Sequence, residues 1–270
     1  MSVKAFDGVF EMPVAGRSQK PRETGLTMLI DKGLGLVSTR DLLEMAGDSI
    51  DMVKMTFGTS AFMDVDVVRQ KVELLKSYDV HTMPGGTFME VSLWQGKYPE
   101  YLKRCKDIGF NSIEVSDGTI SFDMEKRKDA VKRAVDMGYM VLTEVGKKDA
   151  TEKVAYELMH EQIASDLEHG ATKVIVEARE AGKGVGIFDS DGKVKDDEIS
   201  QIVAGVDDPT KLEWEAPIKN QQQHLILMYG PNVNLGNIPP EDILALEALR
   251  CGLRGDTLKK AWEANKDWVK

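Results

Sequence analysis

Cysteine is scarce in this chain. Only Cys105 and Cys251 occur in 270 residues, so no disulfide framework holds the fold, and a reducing cytoplasm is the compartment that fits. Histidine is scarce as well: His81, His160, His169 and His224 form neither an H-x-H nor an H-E-x-x-H pair, which argues against zinc. Positive charge is in deficit, with Lys+Arg 35 against Asp+Glu 45 and a net charge of −10. General nucleic-acid binding is therefore not expected, although local cationic pockets for small anions remain open. No apolar run reaches the length of a membrane span, because Lys, Asp or Gly interrupts each one, and the opening MSVKAFDGVFEMPVAG has no signal-peptide core. No linker rich in Pro, Gly or Ser divides the chain. With 42% hydrophobic and 30% charged residues the composition is that of an ordinary globular protein, expected to be soluble.

What is present is alternation. After a polar lead, residues 1–23, short apolar runs predict strands at Gly25–Asp31, Asp51–Thr56, Val80–Pro84, Ser112–Ser116, Tyr139–Glu144, Lys173–Glu177, Lys211–Glu215 and Asn232–Leu235. Between them, apolar residues recur at three and four, predicting helices that include Val65–Tyr78, Tyr98–Ile108, Glu125–Met137, Thr151–His169 and Asp242–Leu253. Gly109, Gly138 and Gly170 follow three of these, where a left-handed residue ends a helix. Eight strands alternating with helices predict a single (β/α)8 (TIM) barrel over residues 1–270. The rival, a doubly wound open sheet, lacks its glycine fingerprint, since Asp31-Lys32-Gly33-Leu34-Gly35 has the wrong spacing.

Strand side chains alternate, so the apolar set of each strand reveals which residues face the axis. Ile113 and Val115, Val141 and Val145, Val174 and Val176, and Leu212 and Trp214 belong under the helices, as do Val53, Met55 and Phe57. The same phase sends Glu114, Ser116, Glu144, Glu177, Arg179, Glu213, Glu215, Lys54 and Thr56 inward, with Asp31 and Lys32 closing the first strand. Carboxylates converging in a partly buried space repel one another unless a cation neutralises them. A hard divalent ion with oxygen ligands fits, and Mg2+ is the usual choice beside a phosphorylated substrate. A structural charge network with Lys54, Lys147 and Arg179 is the plain alternative.

The loops also point to an anion. Pro84-Gly85-Gly86-Thr87, Ser116-Asp117-Gly118-Thr119 and Gly182-Lys183-Gly184-Val185-Gly186 each follow a strand, where glycine lets backbone N–H groups approach an oxyanion. Asn234, within the last predicted strand, and Asn237, just after it, could serve a phosphate at the helix that Pro239-Pro240-Glu241-Asp242 begins, or could only turn the chain. Lys20-Pro21-Arg22 falls on the bottom face. Arg254-Gly255-Asp256 ends the final helix far from the strand tops, and His81 reads as structural.

Taken together, KPRETGLTMLIDKGLG (20–35), DMVKMTFGTSA (51–61), MPGGT (83–87), IEVSDGTI (113–120), VLTEVGKK (141–148), EAREAGKGVGIFD (177–189), EAPIKNQQQ (215–223), VNLGNI (233–238) and EALRCGLRGDT (247–257) resemble the phosphosulfolactate synthase family. The resemblance implies a barrel enzyme, a lyase, that adds sulfite to phosphoenolpyruvate with Mg2+ to give 2-phospho-3-sulfolactate through a metal-stabilised enolate, early in coenzyme M biosynthesis. On this reading Glu114, Glu144 and Glu177 are the candidate metal ligands, with Glu215 and Asp31 not ranked below them. Lys147 is the proton donor and Lys148 its rival. Lys32, Lys54, Arg179 and Lys183 clamp anions, Gly85, Gly86, Ser116, Asn234 and Asn237 line the substrate, and Lys219 and Gln222 contribute from the loop after the seventh strand. The partners are these small anions, and a homo-oligomer stays open. The alternatives are another Mg2+-dependent lyase or aldolase on a phosphorylated carboxylate, or a non-catalytic stress-associated relative.

Overall fold

The computed structural model describes residues 3–149, 151–152, 154–179 and 181–265. Its strands are β1 (Thr27–Asp31), β2 (Met52–Met55), β3 (His81–Pro84), β4 (Ser112–Val115), β5 (Met140–Val145), β6 (Lys173–Val176), β7 (Leu212–Glu215) and β8 (Leu235–Ile238). The helices are α1 (Leu36–Ala46), α2 (Val65–Lys76), α3 (Gly86–Trp94), α4 (Tyr98–Ile108), α5 (Met124–Asp136), α6 (Tyr156–Glu168), α7 (Asp196–Ala204), α8 (Lys219–Tyr229), α9 (Ile243–Arg250) and α10 (Gly255–Ala264). Parallel ladders run in the order β3-β2-β1-β8-β7-β6-β5-β4. Because β1 pairs with both β2 and β8, the sheet wraps round on itself as a nearly closed (β/α)8 barrel. No helix among the described residues is long and apolar enough to cross a membrane.

Alternation sorts the apolar residues into two layers. Val53, Met55, Ile113, Val115, Val141, Val145, Val174, Val176, Leu212 and Trp214 join the helices in the large outer core. Met28, Met52, Met83, Leu142 and Ile175, with Leu26, form a separate cluster that fills the lower barrel interior. Hydrophobic burial thus fixes the phase of β2, β4, β5, β6 and β7, and the phase decides what stands above the inner plug.

At the bottom, polar residues just before a strand hold the neighbouring strand starts. Asp51 Oδ2 accepts the Thr27 N–H at 2.9 Å, Asn111 Oδ1 the Thr82 N–H at 2.7 Å, and Asn234 Oδ1 the Leu26 N–H at 3.1 Å. The Asn111 bond matters most, because β3 and β4 share no ladder among the described residues. Across that seam Ser112 Oγ also lies 3.3 Å from His81 Nδ1. Lys20 lies on the same bottom face, donating to Ile50 O at 2.6 Å and Tyr78 O at 2.8 Å.

Three expectations shift. The last strand begins at Leu235 rather than Asn232, because Asn234 is taken by the strand starts around it, donating to Thr210 O at 2.8 Å and Leu212 O at 2.9 Å. The sixth helix begins at Tyr156, not Thr151, and residue 153 of the expected span lies outside the described residues. Phe57, expected under the helices, is instead 55% exposed, since β2 ends at Met55 and Phe57 takes a left-handed φ of 57°.

Candidate active site

Above the methionine plug, the inward side chains at the strand ends meet around one cavity of about 300 Å³. Lys54 from β2, Glu114 from β4, Glu144 from β5 and Glu215 from β7 line it, with Glu177 just past β6. All five are buried. The Lys54 ammonium stands among the carboxyls, 3.0 Å from Glu215 Oε1, 3.2 Å from Glu114 Oε2 and 4.0 Å from Glu144 Oε2. A second ammonium, Lys148, pairs with Glu144 Oε1 and lies 2.6 Å from Glu177 Oε2.

Four carboxyls face two ammonium groups, and the protons adjust to that imbalance. Burial pushes Glu114 up to about 7 against the pull of Lys54. Burial and the charges of Glu144 and Glu215 hold Glu177 well above the ordinary carboxylate value. For Glu144 burial acts upward, but Lys148 and Lys54 together hold its carboxyl far below the usual range. Burial would lower both lysines, yet the surrounding acids keep each well above an ordinary ammonium.

Backbone contacts hold the carboxyls in place. Glu114 Oε1 accepts the Gly86 N–H at 2.9 Å and so caps the start of α3. This approach requires glycine, because a Cβ at Gly86 would stand 2.5 Å from that oxygen. Gly86 therefore serves Glu114 rather than an external oxyanion, with Gly85 beside it on the cavity wall. Glu215 Oε2 accepts the Ala178 N–H at 2.9 Å, and Glu177 Oε1 the Arg179 N–H at 2.6 Å. Arg127 on α5 donates to Glu144 O at 2.9 Å and to Asp117 Oδ1 at 2.7 Å while paired with Asp166.

Asn237 reaches the cavity through an irregularity. Thr27 pairs with Leu235 but Leu29 with Ile238, so β8 carries one extra residue, and Asn237 takes a φ of 56°. The bulge re-aims its side chain, which lines the cavity, is 2% exposed and leaves Oδ1 without a hydrogen-bond partner among the described residues.

The other candidates divide. Arg179 is exposed and on the cavity wall. Ser116 is buried, its Oγ 3.0 Å from Glu144 Oε1. Lys147 turns away from the cavity, donating to Asp117 O at 2.6 Å and Ser121 Oγ at 2.9 Å. Lys32 is exposed and lines a neighbouring cavity with Gly33, Pro239 and Glu241. Lys183 is exposed and not on the wall. Lys219 is drawn outward to Asp256, at 2.7 Å, which also brings the Arg254-Gly255-Asp256 segment beside the start of α8. Gln222 is buried and donates to Ala216 O at 3.1 Å, and Asn234 sits at the bottom of the barrel. Asp31 is occupied by Lys71 and by the Gly33 and Leu34 N–H groups, both at 2.8 Å. Two residues that shape the site had no sequence assignment: Arg127, hidden among the charges of α5, and Glu90 on α3. The available signal for Glu90 was a lone acid in the apolar run TFMEVSLW.

Residues 15–256 match the (2R)-phospho-3-sulfolactate synthase (ComA) family. The phosphosulfolactate synthase of Methanocaldococcus jannaschii is 45% identical over 260 residues, covering 96% of this chain and 100% of that protein. The phosphosulfolactate synthase of Methanothermobacter thermautotrophicus is 43% identical over 253 residues, covering 93% and 98%. Among solved structures, the YdjI aldolase from Escherichia coli K12 superposes with a TM-score of 0.56 at 16% identity, covering 90% of this chain and 91% of that one, a likeness of fold. The chain therefore belongs to the phosphosulfolactate synthase family.

Proposed function

We propose that the cavity joins sulfite to phosphoenolpyruvate, forming 2-phospho-3-sulfolactate, and that Mg2+ assists. The observation that carries this reading is the meeting of Lys54, Lys148, Glu114, Glu144 and Glu177 in one pocket, on a chain of this family. The reaction forms a C–S bond at C3 of phosphoenolpyruvate. The double-bond electrons move toward C2 and the carboxylate, and C2 then takes a proton. Lys54, Lys148 and Arg179 are the cations on the wall that face an anionic substrate, and Asn237 offers an unpartnered side-chain oxygen. Lys148 is the proton donor on this reading, because its ammonium lines the cavity and that of Lys147 does not.

Mg2+ suits the donor set in chemistry and in charge. It binds carboxylate oxygens and needs only one or two from the protein when substrate phosphate and water complete its shell. No three His, Cys, Asp or Glu side chains among the described residues stand as a ready cage, since Lys54 and Lys148 lie between the carboxyls. Yet Glu114 and Glu177 are both pushed toward keeping protons, and one dication matches the charge they would carry without them. Glu114, Glu144 and Glu177 are the residues that would hold it, and it would add positive charge where the substrate becomes more negative. The two buried free thiols, Cys105 and Cys251, support placement in a reducing cytoplasm.

The test is to incubate the purified protein with phosphoenolpyruvate, sulfite and Mg2+ and to follow the enol absorbance. Loss of absorbance that requires both sulfite and Mg2+ is expected. No loss would overturn the synthase reading, and loss with another nucleophile but not sulfite would reassign the enzyme.

A further inference from the structure

The loop from β4 to α5 walls one side of the cavity at Thr119, and a carboxylate without a part in the chemistry above holds it. Glu90, on α3, is 0% exposed. Its described partners are neutral donors: Oε1 takes the Ser116 hydroxyl at 2.7 Å, and Oε2 takes the Ile120 N–H at 2.6 Å and the Thr119 N–H at 3.1 Å. A buried carboxylate satisfied in this way ties α3 to the loop across the seam where β3 and β4 have no ladder.

The Ser116 oxygen has a second acid beside it, Glu144 Oε1 at 3.0 Å, and it accepts the Gly118 N–H at 3.2 Å. A hydroxyl has one hydrogen, so Glu90 and Glu144 compete for it. The shorter contact assigns it to Glu90. Glu144 Oε1 is also the atom that pairs with Lys148, so whichever acid holds the Ser116 hydrogen sets how fully that oxygen serves the lysine. We propose that Glu90 is a positioning residue for the reaction: by taking the Ser116 hydrogen it leaves Glu144 Oε1 to Lys148, and by anchoring Thr119 and Ile120 it fixes the cavity wall. This rests on the reading of Glu144 and Lys148 as parts of the reacting pocket.

Glu90→Gln is the informative change. Its carboxamide oxygen can still accept from Thr119 and Ile120, but the NH2 group then faces Ser116 Oγ and obliges the hydroxyl to donate to Glu144 instead. The expected result is a fall in kcat of about tenfold or more with KM for phosphoenolpyruvate within about threefold. Ser116→Ala removes the competing hydroxyl and leaves Glu144 Oε1 to Lys148, so added to Glu90→Gln it should recover most of the lost kcat. Wild-type turnover in Glu90→Gln, or fully additive losses, overturns the proposal. A second measurement does not depend on turnover. In urea unfolding, Glu90→Gln and Glu144→Gln should be coupled, and the coupling should vanish when Ser116→Ala is present in both arms. If the wild-type protein proves inactive on sulfite and phosphoenolpyruvate, the functional reading fails, while this unfolding cycle still decides whether Glu90 acts on Glu144 through Ser116. Absence of coupling overturns the proposal.

Discussion

Glu213→Gln removes a buried acid whose cost follows from its surroundings. Glu213 lies on β7, one inward step below Glu215, and is 0% exposed. Neither carboxyl oxygen has a hydrogen-bond partner among the described residues. Gly236 stands so close that a Cβ there would lie 2.9 Å from Oε1. Burial, outweighing Lys54 and Lys173, pushes the carboxyl from an ordinary value of 4.5 up to about 8. At a pH below both values the folded and unfolded chains hold the proton alike, and the group is neutral to stability. As pH rises past 4.5 the unfolded chain releases its proton while the native barrel keeps it, so native stability falls by about 1.4 kcal/mol per pH unit. The fall ends near pH 8, having reached roughly 5 kcal/mol. Glutamine does not ionise. The stability of Glu213→Gln minus that of wild type should therefore climb between about pH 5 and about pH 8 and level off above. Urea unfolding of both proteins across that range measures it. A flat or falling difference would show that Glu213 is already ionised in the native barrel and would refute the reasoning.

Lys54→Met leaves Glu114, Glu215 and Glu144 without their central cation, so it should cost about 3–5 kcal/mol in urea unfolding and abolish turnover. Wild-type stability would mean that the three acids do not depend on that charge. Lys148→Ala should lower kcat about a hundredfold or more, and Lys147→Ala less than about tenfold, because only Lys148 lines the cavity. The opposite ranking in steady-state kinetics would return the proton-donor role to Lys147. Asn234→Ala should leave kcat and KM unchanged and cost about 1–3 kcal/mol in thermal unfolding, since Asn234 joins three strand starts at the bottom. A kinetic defect without loss of stability would place it at the substrate.

The barrel and the phase of its strands were legible because both follow from hydrophobic periodicity. SIEVS and LEWEA alternate so strictly that Ile113, Val115, Leu212 and Trp214 can face only the helices, and Glu114 and Glu215 are left to the axis. The last strand was harder to place. NVNLGNI has no such alternation, and a bulge interrupts its register, so the sequence could not show that Asn234 lies below and Asn237 above. Phe57 failed for a related reason: period-two reasoning holds only while the strand lasts, and β2 stops two residues before it.

The remaining misplacements share a cause. Periodicity tells where a side chain points, but not which neighbour already claims it. Lys147, Lys219 and Gln222 are near strand ends, as expected, yet their polar groups are taken by Asp117 O, Asp256 and Ala216 O. These partners lie 30, 37 and 6 residues away, with no local spacing rule to announce them. Lys54 and Lys148 are also paired, but with several carboxyls in one cavity. That difference separates a structural contact from a site. A group whose partners lie outside the cavity has little reason to respond to a ligand there, whereas an ammonium shared among crowded acids can be redistributed when a new charge enters.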